Sequence, residues 1–263
     1  MKNPKKPTRE QRKLMAQWGL DTYTWLVVKD TPEEMVLEAI RLGCKELGFS
    51  GHSHTPFDDS YCMTKENTLA YIDTVKALQE KYQDKIKIYL GIEQDYHSPE
   101  STEGYEYIIG SVHYVEKDGV HLSIDESKQT QIDIVNQYYG GDFYSFVEDY
   151  YEVVADVYNK TKCHIIGHFD LITKFNKDGD LFDTKHPRYV AAAQKALKAL
   201  LDAPAYLEVN TGAMSRGYTT EPYPPKSILD QWLAAGKKVI FSSDCHSKDH
   251  LLFGYDAYQE LTK

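Results

Sequence analysis

Residues 86–96 read IKIYLGIEQDY, an apolar and β-branched run that closes on Glu93 and Asp95. A short apolar run of this kind, bounded by polar residues, predicts a buried strand with its chemistry-bearing residues at the C-terminal end. The same arrangement recurs outward along the chain. His52 lies in FSGHSH, His113 in IIGSVHY, His168 in IIGHFD, and Asp244 and His246 in FSSDCH. Each follows an apolar, β-branched or small-residue run, so five separate strands are expected to deliver imidazoles or carboxylates to one rim.

The expected strands are Gly19–Trp25, Lys45–His52, Ile86–Tyr96, Tyr107–Val115, Cys163–Leu171, Tyr206–Gly212 and Lys238–His246. Helical stretches lie between them: Thr31–Gly43, Thr64–Gln83, Lys185–Ala203 and Pro224–Gly236, with Ile132–Lys160 read as two helices broken at Gly140-Gly141. Strands alternating with helices are the signature of βα units around a parallel sheet. About seven repeats in 263 residues, with no linker-like break, predict a single α/β domain closed as a TIM-like barrel, whose chemistry sits at the C-terminal strand ends. Residues 1–18 read as a polar N-terminal extension and 19–263 as the barrel.

Thirty Lys+Arg against forty Asp+Glu give a net charge of −10. That balance argues against a sequence-independent nucleic-acid binder, which needs a basic stripe. No apolar run approaches the roughly 18 residues of a membrane span. The four cysteines form no CxxC pair and are too sparse for a disulfide framework, so reduced thiols and a cytoplasmic location are expected. The 21 tyrosines are read as half-buried core edge.

Neutral imidazole and carboxylate are ligands for zinc, manganese or iron. Asp244 and His246 share one face of an extended strand, as residues i and i+2 do. Asp170 stands in that relation to His168, as a ligand, a carboxylate orienting an imidazole, or a general acid. His54 repeats the spacing after His52 more weakly, whereas His97, His121, His164, His186 and His250 lack such context and read as structural or surface residues. In VNTGAMSRGY, residues 209–218, Arg216 follows a Gly/Ser-rich turn, and a guanidinium is well matched to phosphate. Ser111, Asn210 and Tyr218 add neutral hydrogen-bonding groups.

Taken together and in order, TPEEMVLEAI, GFSGHSHTPFD, SYCM, KIKIYLGIEQDY, YIIGSVHYV, GHFDL, VNTGAMSRGY and SSDCHSKD resemble the polymerase-and-histidinol-phosphatase (PHP) superfamily, in particular its monofunctional histidinol-phosphatases. The resemblance implies a distorted (β/α)7 barrel holding two or three divalent metals, zinc, manganese or iron, and hydrolysis of a phosphate monoester by metal-activated water. The implied substrate is L-histidinol phosphate, from histidine biosynthesis. By motif, Glu93 would bridge two metals, His113 and His168 would complete one, Asp244 would bind another, His52 and His246 would serve a third, and Arg216 would hold the phosphate. The family opens its first strand with His-x-His, whereas this chain reads Leu20-Asp21-Thr22-Tyr23-Thr24-Trp25. Asp21 offers a carboxylate ligand; Tyr23 offers a phenolate or a substrate contact. The alternative is a PHP-fold protein, natural or engineered, with weakened or lost catalysis, acting as a metal- and phosphate-binding protein.

Overall fold

The computed structural model describes residues 30–58 and 60–262. The expected strand Gly19–Trp25, with Asp21 and Tyr23, and the extension 1–18 lie outside these residues. The chain is of the α/β class and divides into two compact units.

The first unit comprises the described residues through Glu93, with Ser98–Tyr107 and Cys245–Leu251. It contains helix α1 (Pro32–Arg41), strand β1 (Glu46–His52), helix α2 (Lys65–Tyr82) and strand β2 (Lys87–Asp95) as far as Glu93. Helix α1 begins where Thr31 and Glu34 form a reciprocal capping box with proline at its first turn, which satisfies amide groups the helix itself leaves open. Its apolar face, Met35, Val36 and Ala39, joins Val75, Leu78, Ile86, Ile88 and Leu90 in one buried cluster. Strands β1 and β2 are parallel, and their register sets His52 beside Glu93. Glycine is required at Gly91, where a Cβ would come within 2.2 Å of the Tyr107 ring.

The second unit comprises Gln94–His97, Ile108–Asp244 and the described residues from Leu252 onward. Four parallel strands run in the order β3 (Tyr107–Ser111), β6 (Ile165–Ile166), β7 (Tyr206–Asn210) and β8 (Val239–Ser242). Helices α3 (Lys128–Tyr138), α4 (Phe143–Thr161), α5 (Pro187–Leu200), α6 (Gly212–Ser215), α7 (Lys226–Ala234) and α8 (Tyr255–Tyr258) complete it. The long helices α4 and α5 pack together, and Arg188 grips Glu148 through two hydrogen bonds of 2.7 and 2.6 Å.

The strand expected over Lys238–His246 stops at Ser242, and Asp244 takes a left-handed φ of +42°, so Asp244 and His246 do not share a face of an extended strand. Three more expectations are corrected. The strand expected over Tyr107–Val115 stops at Ser111, and the chain then forms an antiparallel hairpin, β4 (Tyr114–Lys117) with β5 (Val120–Ser123). Its signal was present: Asp118 and Gly119 both take left-handed φ values, +52° and +76°, as a two-residue hairpin loop demands. The strand expected over Cys163–Leu171 shrinks to Ile165–Ile166, because from His168 the chain turns into a short 3-10 helix at Leu171–Thr173. Finally, Tyr150 and Tyr151 are core residues, 1% and 2% exposed, and not its edge. Burial is tolerated because their hydroxyls donate to the Phe169 carbonyl and to Asp170.

Among the described residues, no helix is long and apolar enough to cross a membrane. All four cysteines are free thiols; Cys62 and Cys163 are buried, Cys44 and Cys245 partly so.

Candidate functional site

In the first unit, the parallel register brings the His52 Nδ1 to 3.3 Å from Glu93 Oε2. Glu93 is 8% exposed, an expensive place for a carboxylate unless positive charge or hydrogen bonds offset its desolvation. The His52 ring is also set edge-on to Tyr61, with centroids 5.1 Å apart. His246 lies in this unit and is partly exposed.

In the second unit, His113 and His168 stand edge to face with ring centroids 4.9 Å apart, both buried. Asp95 Oδ2 lies 3.0 Å from His113 Nδ1 and accepts the His113 backbone N–H at 3.1 Å. A carboxylate so placed is the kind of outer partner that orients imidazoles at metal sites. Glu208, 2% exposed, accepts the backbone N–H of His168 at 2.7 Å and the amide of Asn210 at 3.1 Å. Two buried imidazoles side by side, one of them oriented by a carboxylate, form a donor set that fits a divalent cation.

Asp170 has other partners. Its carboxylate accepts hydrogen bonds from Tyr151, from Tyr189 at 2.9 Å, and from Thr173 at 3.3 Å. Burial raises its pKa to about 7, although these hydroxyls pull it the other way. Asp170 is thus a carboxyl able to hold a proton near neutral pH, and the carboxylate that orients an imidazole is Asp95.

Arg216 donates to the backbone oxygen of Asp244 at 2.9 Å and to its Oδ2 at 3.1 Å. Burial opposes the guanidinium charge, but Asp244 beside it outweighs that and holds its pKa above the usual value. Asp244 sits at a φ of +42°, a conformation that costs a non-glycine residue free energy and recurs at functional sites. Asn210 is committed on both sides, to Glu208 and to the Gly212 N–H at 2.9 Å, so it braces the turn after β7. The Ser111 hydroxyl is buried and makes no hydrogen bond. Tyr218 is 40% exposed and stacks edge-on to Phe175.

Asp95 was legible as a polar group at the end of its strand but not as the partner of His113, and Glu208 was missed, although it lies two residues from Asn210 on the same strand face. Also missed was Tyr223, whose buried hydroxyl makes no hydrogen bond and whose backbone pairs with Asn210. Asp21 and Tyr23 lie outside the described residues.

The PHP domain family model matches residues 23–212. A second model, a domain of unknown function (DUF6906), matches residues 1–40 and so covers Asp21 and Tyr23. The chain is 27% identical over 244 residues to a probable histidinol-phosphatase of Schizosaccharomyces pombe, covering 85% of this chain and 77% of that protein. It is 27% identical over 245 residues to a probable histidinol-phosphatase of Deinococcus radiodurans, covering 88% and 86%. Among solved structures, a Listeria monocytogenes protein named as a histidinol phosphatase superposes with a TM-score of 0.74 at 22% identity, over 90% of this chain and 96% of that one. The histidinol phosphate phosphatase of Lactococcus lactis, complexed with zinc, L-histidinol and phosphate, superposes with a TM-score of 0.63 at 18% identity, over 89% and 88%. These likenesses show a shared fold, the TIM-like α/β fold expected from the strand and helix alternation.

Proposed function

The chain belongs to the PHP domain family, and from that premise we propose that it is a metal-dependent phosphomonoesterase that hydrolyses L-histidinol phosphate to L-histidinol and phosphate. The observation that carries this reading is the pair of buried imidazoles, His113 and His168, with Asp95 bonded to one of them. In this reading Glu93, His113, His168, Asp244, His52 and His246 hold two or three divalent ions. When bound, such ions lower the pKa of water toward roughly 7 and offset phosphate charge.

The protein's own groups do the rest. Arg216 presents a fork of N–H donors to the phosphate, exchanging part of its contact with Asp244 for the substrate. Asn210 and Glu208 brace the turn that carries it. Asp170, which retains a proton to about pH 7, is the group able to protonate the departing alkoxide, through the hydroxyls of Tyr151 or Tyr189 that surround it. The zinc, histidinol and phosphate of the Lactococcus protein support both the metal and the substrate class.

A second reading is favoured by one observation. The stretch in which the first His-x-His would stand falls within residues 1–40, matched by a different family model. In that reading the centre binds metal and phosphate with little turnover. Phosphate release from L-histidinol phosphate, with zinc or manganese supplied, tests both. Turnover near one per second that Glu93→Gln abolishes supports the enzyme; full activity in Glu93→Gln refutes the proposed site. Release no faster than in Glu93→Gln, rising by orders of magnitude in a D21H/Y23H variant, favours the second reading.

A further inference from the structure

We infer that the β4–β5 hairpin carries a second divalent-cation site, separate from the centre described above and formed by His97, Glu116 and His121. The two-residue loop Asp118-Gly119 fixes the hairpin register, and that register sets Glu116 directly across from His121. Their side chains meet with His121 Nε2 3.8 Å from Glu116 Oε2. The His97 ring closes on the same point from the end of β2, its centroid 4.7 Å from that of His121 at an angle of 82°. One donor atom from each of the three side chains lies within 4.8 Å of the other two.

This geometry is near what an ion requires. Bonds of about 2.0–2.1 Å in a tetrahedron put donors roughly 3.4 Å apart, so no separation need close by more than about 1.4 Å. The exposed Glu116 side chain can shorten its own distances to the two imidazoles by a rotamer change. The His97 ring is also tied to the backbone of Tyr114, the kind of outer bond that orients ligating imidazoles. Burial of His97 disfavours its protonated form, which leaves the ring in the neutral state that binds metals. Glu116 further borders a surface groove of about 370 Å³ lined also by Asp118, Asp149 and Glu152; Lys117 pairs with Asp149 there, and the carboxylates left over keep the rim negative, which draws cations, while solvent can fill the remaining coordination position.

Two imidazoles and a carboxylate suit zinc and its first-row neighbours better than calcium or magnesium, which prefer all-oxygen sites. The two sites share a neighbour: Asp95 Oδ1 accepts the His97 N–H at 2.8 Å while its Oδ2 bonds His113. A substitution of His97 would therefore disturb both, and the informative variants are His121→Asn and Glu116→Gln.

The full chain, stripped with a chelator and dialysed against zinc buffered in the micromolar range, is assayed for bound zinc by mass spectrometry. His121→Asn and Glu116→Gln should each hold one ion fewer per chain than the wild type, with the metal-free melting temperature unchanged. His113→Asn, made in the other centre, should keep the ion that His121→Asn removes, so that the double variant loses it in addition. Equal zinc content in the wild type, His121→Asn and Glu116→Gln would overturn the inference, and so would loss of the His121-dependent ion in His113→Asn alone.

Discussion

Gly212, the first residue of α6, is the position where a single methyl group tests the site most directly. A Cβ added there would lie 2.5 Å from Asp244 Oδ2 and 2.8 Å from Asp244 Cβ. Ordinary contact begins near 3.4 Å, so Asp244 must retreat by 0.6–0.9 Å. It has little room to do so by side-chain rotation, because its Cβ is itself in the clash and its carboxylate and carbonyl are both held by Arg216. The backbone must move instead, from a φ of +42° that is already unfavourable. Two effects on stability oppose one another. Overpacking costs about 1–3 kcal/mol, while replacing a glycine at a compatible φ gains about 0.4–1 kcal/mol through the unfolded chain. Gly212→Ala should therefore be destabilised only modestly, by about 0–2 kcal/mol. Function is more sensitive, since a misplacement near 1 Å costs about 100-fold in rate. The assay is kcat/KM for L-histidinol phosphate in the presence of zinc, beside a thermal melt of the same preparation. A folded Gly212→Ala protein with wild-type kcat/KM would refute the assignment of Asp244 and Arg216 to the reacting centre.

Asp170 predicts a pH dependence of stability. Its folded pKa, about 7, lies above its unfolded value, so its contribution is complete below about pH 4 and is lost as pH rises through 7. That rise corresponds to at most about 4 kcal/mol, and urea unfolding of Asp170→Asn at pH 5 and pH 8 should show a flatter profile than the wild type; parallel profiles would count against the burial argument. In the first unit, Gly91→Ala drives a methyl to 2.2 Å from the Tyr107 ring, which also lies against Gly48 on the neighbouring strand. A loss of about 1–3 kcal/mol or more in the melt is expected, and Tyr107→Leu should recover part of it; an unchanged melting temperature in Gly91→Ala would show that Tyr107 does not press on β2.

How much was legible in the sequence follows from the range of the interactions involved. The strands β1, β2, β7 and β8 announce themselves because an apolar run and the polar group that ends it are local, and so do helices α1 and α2, whose capping threonines stand immediately before the first helical residue. The alternation of these elements determined the α/β class, and the same local pattern nominated Glu93, His113, His168 and Asp244. The hairpin β4–β5 was also encoded locally, in Asp118-Gly119, but an apolar run that continued past Ser111 concealed it.

Partnerships were another matter. That Asp95 bonds His113, 18 residues away, that Asp170 is enclosed by Tyr151 and Tyr189, 19 residues to either side, and that His97 meets His121 beside Glu116 depends on which strands and helices become neighbours. A residue's type and spacing fix what it can do as an acid, a ligand or a hydrogen-bond donor. Which of these it does is set by the groups that desolvate and contact it, and those are brought together only by tertiary packing.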